Sequence, residues 1–146
     1  MEELKRILYA EDSQNDIELT LTAFKESKLA NPIDVVHDGE EALDYLFYRG
    51  KYSEREKNTP CFLLLDLKMP KLDGIEVLKA LRESEEYKTL PVVMLTSSKI
   101  ETDVVKSYEL GVNGYVVKPI DFSKFVKTIK GIGYFWAIIN ISPCKL

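Results

Sequence analysis

The chain has 146 residues, 45% of them hydrophobic and 30% charged, with a formal net charge of −4. These are ordinary globular values, and the negative charge argues against nucleic acid as a direct partner, since phosphate binding wants a basic patch. Two distant cysteines, Cys61 and Cys144, and a single histidine, His37, exclude a zinc set or a CxxC redox pair and fit reduced thiols in a cytoplasmic protein.

The length predicts one domain, residues 1–146. Met1-Glu2-Glu3 is acidic and unlike a signal peptide. The longest weakly polar run, Gly131 to Ile141, has 11 residues, whereas a membrane span needs about 20. No membrane association is expected.

Apolar strand runs alternate with helical patterns, which predicts an α/β fold with a parallel sheet covered on both faces. The first strand is expected at Arg6–Ala10 and the first helix at Gln14–Ser27, where Ile17, Leu21 and Phe24 recur at helical spacing and Asp16 and Glu18 suit the first turn. After the Asn31-Pro32 turn, Ile33–His37 reads as a short strand. Asp38-Gly39 leads into a second helix with Ala42, Leu43, Leu46 and Phe47 as its apolar stripe. Arg49–Pro60 reads as a long solvated loop. The third strand is Cys61–Asp66, and the third helix carries Ile75, Leu78 and Leu81 on one face. Pro91 opens a fourth strand, and a fourth helix over Glu101–Leu110 stops at Gly111. Asn113–Val117 is the fifth strand, and Asp121 caps a fifth helix whose Phe122, Phe125, Val126 and Ile129 are expected to face inward.

Four of these apolar runs stop at a residue able to handle a phosphoryl group. Ile7-Leu8-Tyr9-Ala10 runs into Glu11-Asp12, Phe62-Leu63-Leu64-Leu65 into Asp66, Val92-Val93-Met94-Leu95 into Thr96, and Tyr115-Val116-Val117 into Lys118-Pro119. Parallel strands present such ends along one edge, where ligands of open α/β sheets bind. Any one of these residues alone is more often a helix cap or a turn residue. Four strand ends carrying the right group together argue for a site. Three clustered carboxylates call for a cation, and hard oxygen ligands with positions left for water suit Mg²⁺. Asp66 is the candidate nucleophile, since Asp carboxylates form acyl phosphates. Lys118 would offset charge, and Thr96 would hydrogen-bond a phosphoryl oxygen.

These residues resemble the receiver domain of two-component response regulators, the CheY-like family, over about residues 4–130. Glu11-Asp12 is similar to that family's acidic metal-binding pair. Asp66, within Leu64-Leu65-Asp66-Leu67-Lys68-Met69-Pro70 and ahead of Asp73-Gly74, is similar to its phosphoacceptor, and Thr96 and Lys118-Pro119 to its hydroxyl and its lysine with a cis proline bond. Tyr115 falls at the position of a switching aromatic. The resemblance implies a flavodoxin-like (βα)5 doubly wound sandwich with strand order 2-1-3-4-5. It also implies Mg²⁺ held by Glu11, Asp12, Asp66 and the backbone carbonyl of Lys68, and a phosphoryl group delivered to Asp66 by a sensor histidine kinase. The Lys68 side chain and Ser98 fall where the family tunes dephosphorylation. Signalling is expected through the face made by the fourth helix, fifth strand and fifth helix.

The long loop at 49–60 and the aromatic-rich extension at 131–146 resemble the stand-alone receivers paired with phytochrome-type kinases. The fifth helix is expected to continue through the extension, although Gly131 and Gly133 oppose it by about 1 kcal/mol each. Ile129, Ile132 and Trp136 would pack on the sheet. Tyr134, Phe135 and Ile138, together with Tyr108 on the fourth helix, would form a dimer or partner face. Two other functions compete. A Mg²⁺-dependent phosphatase or phosphotransferase with an Asp nucleophile usually has a second Asp two residues on as proton donor, and Lys68 stands there. A flavodoxin-like cofactor binder would want a Ser/Thr/Gly loop after the first strand, where Glu11-Asp12 would repel phosphate.

Overall fold

A computed structural model describes residues 4–118 and 121–141. Five strands form one parallel sheet: β1 (Ile7–Ala10), β2 (Ile33–Val36), β3 (Phe62–Leu65), β4 (Val92–Thr96) and β5 (Gly114–Val117), in the order β2-β1-β3-β4-β5. This is the flavodoxin-like arrangement. Between and after them run α1 (Gln14–Glu26), α2 (Gly39–Leu46), α3 (Gly74–Glu83), α4 (Glu101–Glu109) and α5 (Phe122–Gly133). The Lys118-Pro119 peptide and Cys144 lie outside the described residues. No helix among the described residues is long and apolar enough to cross a membrane.

Every residue of β1, β3 and β4 is buried, because helices cover both faces of the sheet. Side-chain alternation along the strands divides the core in two. Leu8, Ala10, Leu63, Leu65, Val92 and Met94 pack with Ala42, Leu46, Val77, Leu78 and Leu81 under α2 and α3. Ile7, Tyr9, Phe62, Leu64, Val93 and Leu95 pack with Ile17, Phe24, Phe125 and Ile129 under α1 and α5.

Helix starts follow the sequence closely. Ser13, Asp38 and Asp121 cap α1, α2 and α5 through side-chain oxygens, and Asp73 with Glu76 forms a capping box on α3. α4 has no side-chain cap and buries only Ser107. With so little apolar anchoring it is the helix best placed to move. Its end is held instead by Arg82, whose Nη2 donates to the Gly111 carbonyl at 2.9 Å and Nε to that of Leu110 at 3.2 Å. Gly111 has φ of +78°, which favours glycine.

Three regions depart from the expectations. The loop at 49–60 is not simply solvated. It contains a 3-10 turn (Gly50–Tyr52) and tucks Arg55 over the rings of Tyr45 and Tyr48, at 3.9 and 4.3 Å from their centroids. Phe122, the first residue of α5, is 44% exposed, and the inward face of the helix is carried by Phe125 and Ile129 instead. The extension does continue α5, but as a π-helical stretch over Tyr134–Ile139, closed by the Asn140 N–H donating to the Phe135 carbonyl at 2.7 Å. Gly133 serves packing there: a Cβ would meet Leu29 Cδ2 at 2.8 Å and Phe24 Cε1 at 3.3 Å, so its hydrogen lets α5 approach α1 closely.

Candidate functional site

The parallel register places four strand ends side by side. The Glu11 N–H donates to the Val36 carbonyl at 3.0 Å, the Asp66 N–H to that of Ala10 at 3.0 Å, and the Lys118 N–H to that of Thr96 at 2.9 Å. Glu11, Asp66 and Lys118 are therefore each bonded, backbone to backbone, to the neighbouring strand end. Their positions are set by the sheet rather than by loose loops. Close packing behind Asp66 comes from Gly74, where a Cβ would meet the Asp66 carbonyl oxygen at 2.4 Å.

Glu11, Asp12 and Asp66 offer oxygens that all lie within 4.8 Å of one another. Glu11 and Asp66 are buried, and Asp12 is exposed. The Lys118 ammonium sits among them. Its Nζ donates to Glu11 Oε1 at 2.5 Å and to Asp16 Oδ2 at 2.9 Å, and lies 3.8 Å from Asp66 Oδ2. Burial pushes the Glu11 carboxyl well above the usual carboxylate range, reinforced by its hydrogen bond with Asp66 and opposed by Lys118. Burial alone would lower the Lys118 pKa, but its bonds to Glu11 and Asp16 hold it above the ordinary lysine value.

Thr96 is buried at the end of β4, and its Oγ1 accepts from the Ser98 N–H at 3.3 Å. The Ser98 hydroxyl in turn donates to Asp103 Oδ2 on α4 at 2.7 Å. Tyr115, half-buried on β5, donates its hydroxyl to the Ser98 carbonyl at 3.1 Å. The loop between β4 and α4 is thus held from three sides. Asp66 Oδ1 accepts from the Leu67 N–H at 2.8 Å, and Lys68 follows in an exposed loop that the Gly74 N–H ties back to the Leu67 carbonyl at 2.7 Å. Tyr108, on α4, and Tyr134, Phe135 and Ile138, on the extension of α5, are all exposed and stand apart from this cluster. Phe135 packs edge-on against Trp136, with ring centroids 5.1 Å apart.

Glu11, Asp12, Asp66, Thr96 and Lys118 are therefore brought to one edge, as their strand-end positions imply. Asp16 is the site residue that sequence reasoning passed over. It reads as a first-turn helix residue favoured by the macrodipole, and Ser13 already provides the cap. Its one available signal is position: the first turn of the helix after β1 opens onto the same edge as Glu11-Asp12.

The chain belongs to the response regulator receiver domain family, whose model matches residues 7–130. Among particular relatives, it is 39% identical over 132 residues to response regulator Rcp1 of Synechocystis sp., covering 90% of this chain and 88% of that protein. It is 37% identical to the phosphorylated cyanobacterial phytochrome response regulator RcpA, with a TM-score of 0.88 over 97% of this chain and 99% of that one. To the bacteriophytochrome response regulator RtBRR it is 55% identical, with a TM-score of 0.79 over 97% of this chain and 85% of that one. A structure of the Mn²⁺-bound form of Rcp1 matches with a TM-score of 0.86 and 37% identity, over 96% of this chain and 99% of that one.

Proposed function

We propose that this chain accepts a phosphoryl group on Asp66 from a sensor histidine kinase, one of phytochrome type, in a Mg²⁺-dependent reaction. The observation that carries the reading is the meeting of Glu11, Asp12 and Asp66 oxygens within 4.8 Å, with the Lys118 ammonium 3.8 Å from Asp66. Membership of the receiver family and the likeness to phytochrome response regulators support the choice of kinase.

The donor set fits the metal. Oxygens at about 2.0–2.1 Å from an octahedral Mg²⁺ are at most about 4.2 Å apart, close to the span of these three carboxylates. Glu11, Asp12 and Asp66 would hold the ion, with the Lys68 carbonyl as a further ligand, and a relative is known in a Mn²⁺-bound form. When bound, the ion neutralises negative charge between Asp66 and the phosphoryl oxygens.

The step itself is a displacement at phosphorus. An Asp66 carboxylate oxygen forms the new P–O bond while the P–N bond to the kinase imidazole breaks, and the imidazole nitrogen keeps the electron pair. Lys118 compensates charge on the phosphoryl oxygens, and the Thr96 hydroxyl donates to one of them. Thr96 then leaves its place beside Ser98, and Tyr115 follows the β4–α4 loop. That movement alters the α4–β5–α5 face, in which α4 is only lightly anchored. The chain thus acts by protein contact rather than by turnover.

Asp66→Asn is the first test. The parent should gain one phosphate from acetyl phosphate with Mg²⁺, seen as an 80 Da mass increase (HPO₃), and the variant none. Equal labelling of both would refute the assignment, and continuous phosphate release by the parent would favour the phosphatase reading. The exposed Tyr108, Tyr134, Phe135 and Ile138 further support a homodimer through α4, β5, α5 and the extension. Light scattering on Phe135→Ser with Ile138→Ser should then give half the mass of the parent, and a parent that is already monomeric would end that idea.

A further inference from the structure

Asp16 lies outside the strand-end residues, yet it holds the cation of the site. An ammonium has three N–H donors. In Lys118, one goes to Glu11 Oε1 at 2.5 Å and one to Asp16 Oδ2 at 2.9 Å. Asp66 Oδ2, at 3.8 Å, is beyond hydrogen-bond distance. The ammonium therefore rests nearer the β1–α1 side of the cluster than the carboxylate it faces. Asp16 is free for this task because Ser13 caps α1. Its side chain is 38% exposed, so its bond to Lys118 can exchange for water.

We propose that Asp16 is a positioning residue that parks the Lys118 ammonium away from Asp66 and thereby restrains phosphorylation. This inference rests on the reading of Asp66 as phosphoacceptor. The physical reason is differential binding. Only interactions stronger in the transition state than in the resting state speed a reaction. An ammonium bonded to Asp16 at rest must loosen that bond to follow the developing charge on the phosphoryl oxygens. Without the Asp16 carboxylate, Lys118 starts closer to where the charge forms.

The test measures the initial rate of phosphorylation by acetyl phosphate in saturating Mg²⁺, by intact-mass spectrometry, with Mg²⁺ affinity measured separately. Asp16→Asn should raise the rate at least threefold and leave Mg²⁺ affinity within twofold of the parent. In a Lys118→Met background the same substitution should change nothing, because the parked group is gone. An unchanged or slower rate overturns the inference. So does an equal gain in the Lys118→Met background, which would mean a general field effect, or a change in Mg²⁺ affinity as large as the change in rate. Asp16→Ser repeats the measurement should the Asn variant lose its far-UV circular dichroism. A parent that takes no phosphate overturns the phosphoacceptor reading and this inference with it, whereas a labelled parent with an unmoved variant overturns this inference alone.

Discussion

Lys118 and Arg55 are both cations drawn into the body of the protein, and their surroundings differ in kind. Lys118 meets Glu11 and Asp16 at hydrogen-bond distance and Asp66 at 3.8 Å, with Asp12 beside them. One ammonium cannot balance that many carboxylates, and the pKa of Glu11, raised first by burial, is pushed further up by Asp66. Arg55 donates to the Tyr45 carbonyl at 2.9 Å and to the Asn58 carbonyl at 3.2 Å, and lies over two tyrosine rings, with only Nη2 lacking a partner. Nearby, Asp34 is matched by Arg6 at 2.6 and 2.7 Å and by the Tyr45 hydroxyl. The second cluster completes itself from within and holds the 49–60 loop to α2. The first retains uncompensated negative charge, and that remainder would favour a bound cation.

The contrast is broken most severely by Arg55→Ala. It removes several hydrogen bonds and two cation–π contacts and should cost about 3 kcal/mol, read from the urea midpoint. Phosphorylation of the folded fraction should be unaffected, and a lost phosphorylation signal would mean the two clusters are not independent. Next in size is the metal. Mg²⁺ at about 100 times its Kd should stabilise the parent by about 2.7 kcal/mol. EDTA should reverse the gain, and Asp12→Asn should remove most of it. An equal response in Asp12→Asn would place the ion elsewhere.

The two clusters should also respond to neutralisation with opposite signs. In metal-free buffer, Asp66→Asn relieves like-charge crowding and should raise stability by about 1 kcal/mol. Asp34→Asn breaks a part-exposed matched pair and should lower it by about 1 kcal/mol. Chemical denaturation of both variants measures the difference, and two changes of the same sign would erase the distinction drawn here.

The smallest effect concerns acid. Burial works to raise the Glu41 pKa, but the Tyr52 hydroxyl at 2.7 Å, the His37 N–H at 2.8 Å and the Lys51 ammonium at 3.0 Å outweigh it and hold the group down at about 2. A carboxyl depressed on folding stabilises above its ordinary value of 4.5, and that contribution fades as pH falls from there toward 2. Tyr52→Phe should therefore reduce stability near neutral pH more than at pH 3. A constant difference across pH 3–7 would show that Glu41 does not feel the hydroxyl.

Much of the site was legible because a parallel sheet turns linear position into spatial position. Glu11, Asp66, Thr96 and Lys118 each end or follow an apolar run, and neighbouring strand ends in one sheet cannot be far apart. The start of α5 was legible for a similar reason, since Asp121 caps backbone within three residues of itself, as Asp38 and Asp73 also prove to do. Asp16 was harder to see, because a first-turn acid has a sufficient local explanation and its bond to Lys118 spans 102 positions. The 49–60 loop looked solvated because Arg55 is polar, and the rings that receive it lie on α2 (Tyr45) and in the turn just after it (Tyr48).

The order of residues by itself determined the alternation of strands and helices, the edge on which charge would gather, and the family. Those follow from short-range periodicity and from the rule that parallel strands share a direction. Tertiary structure alone decided which carboxylates hold the lysine, which face of α5 stays bare, and that glycine at 133 brings two helices together. These depend on how segments remote in the chain approach one another, which no local pattern encodes.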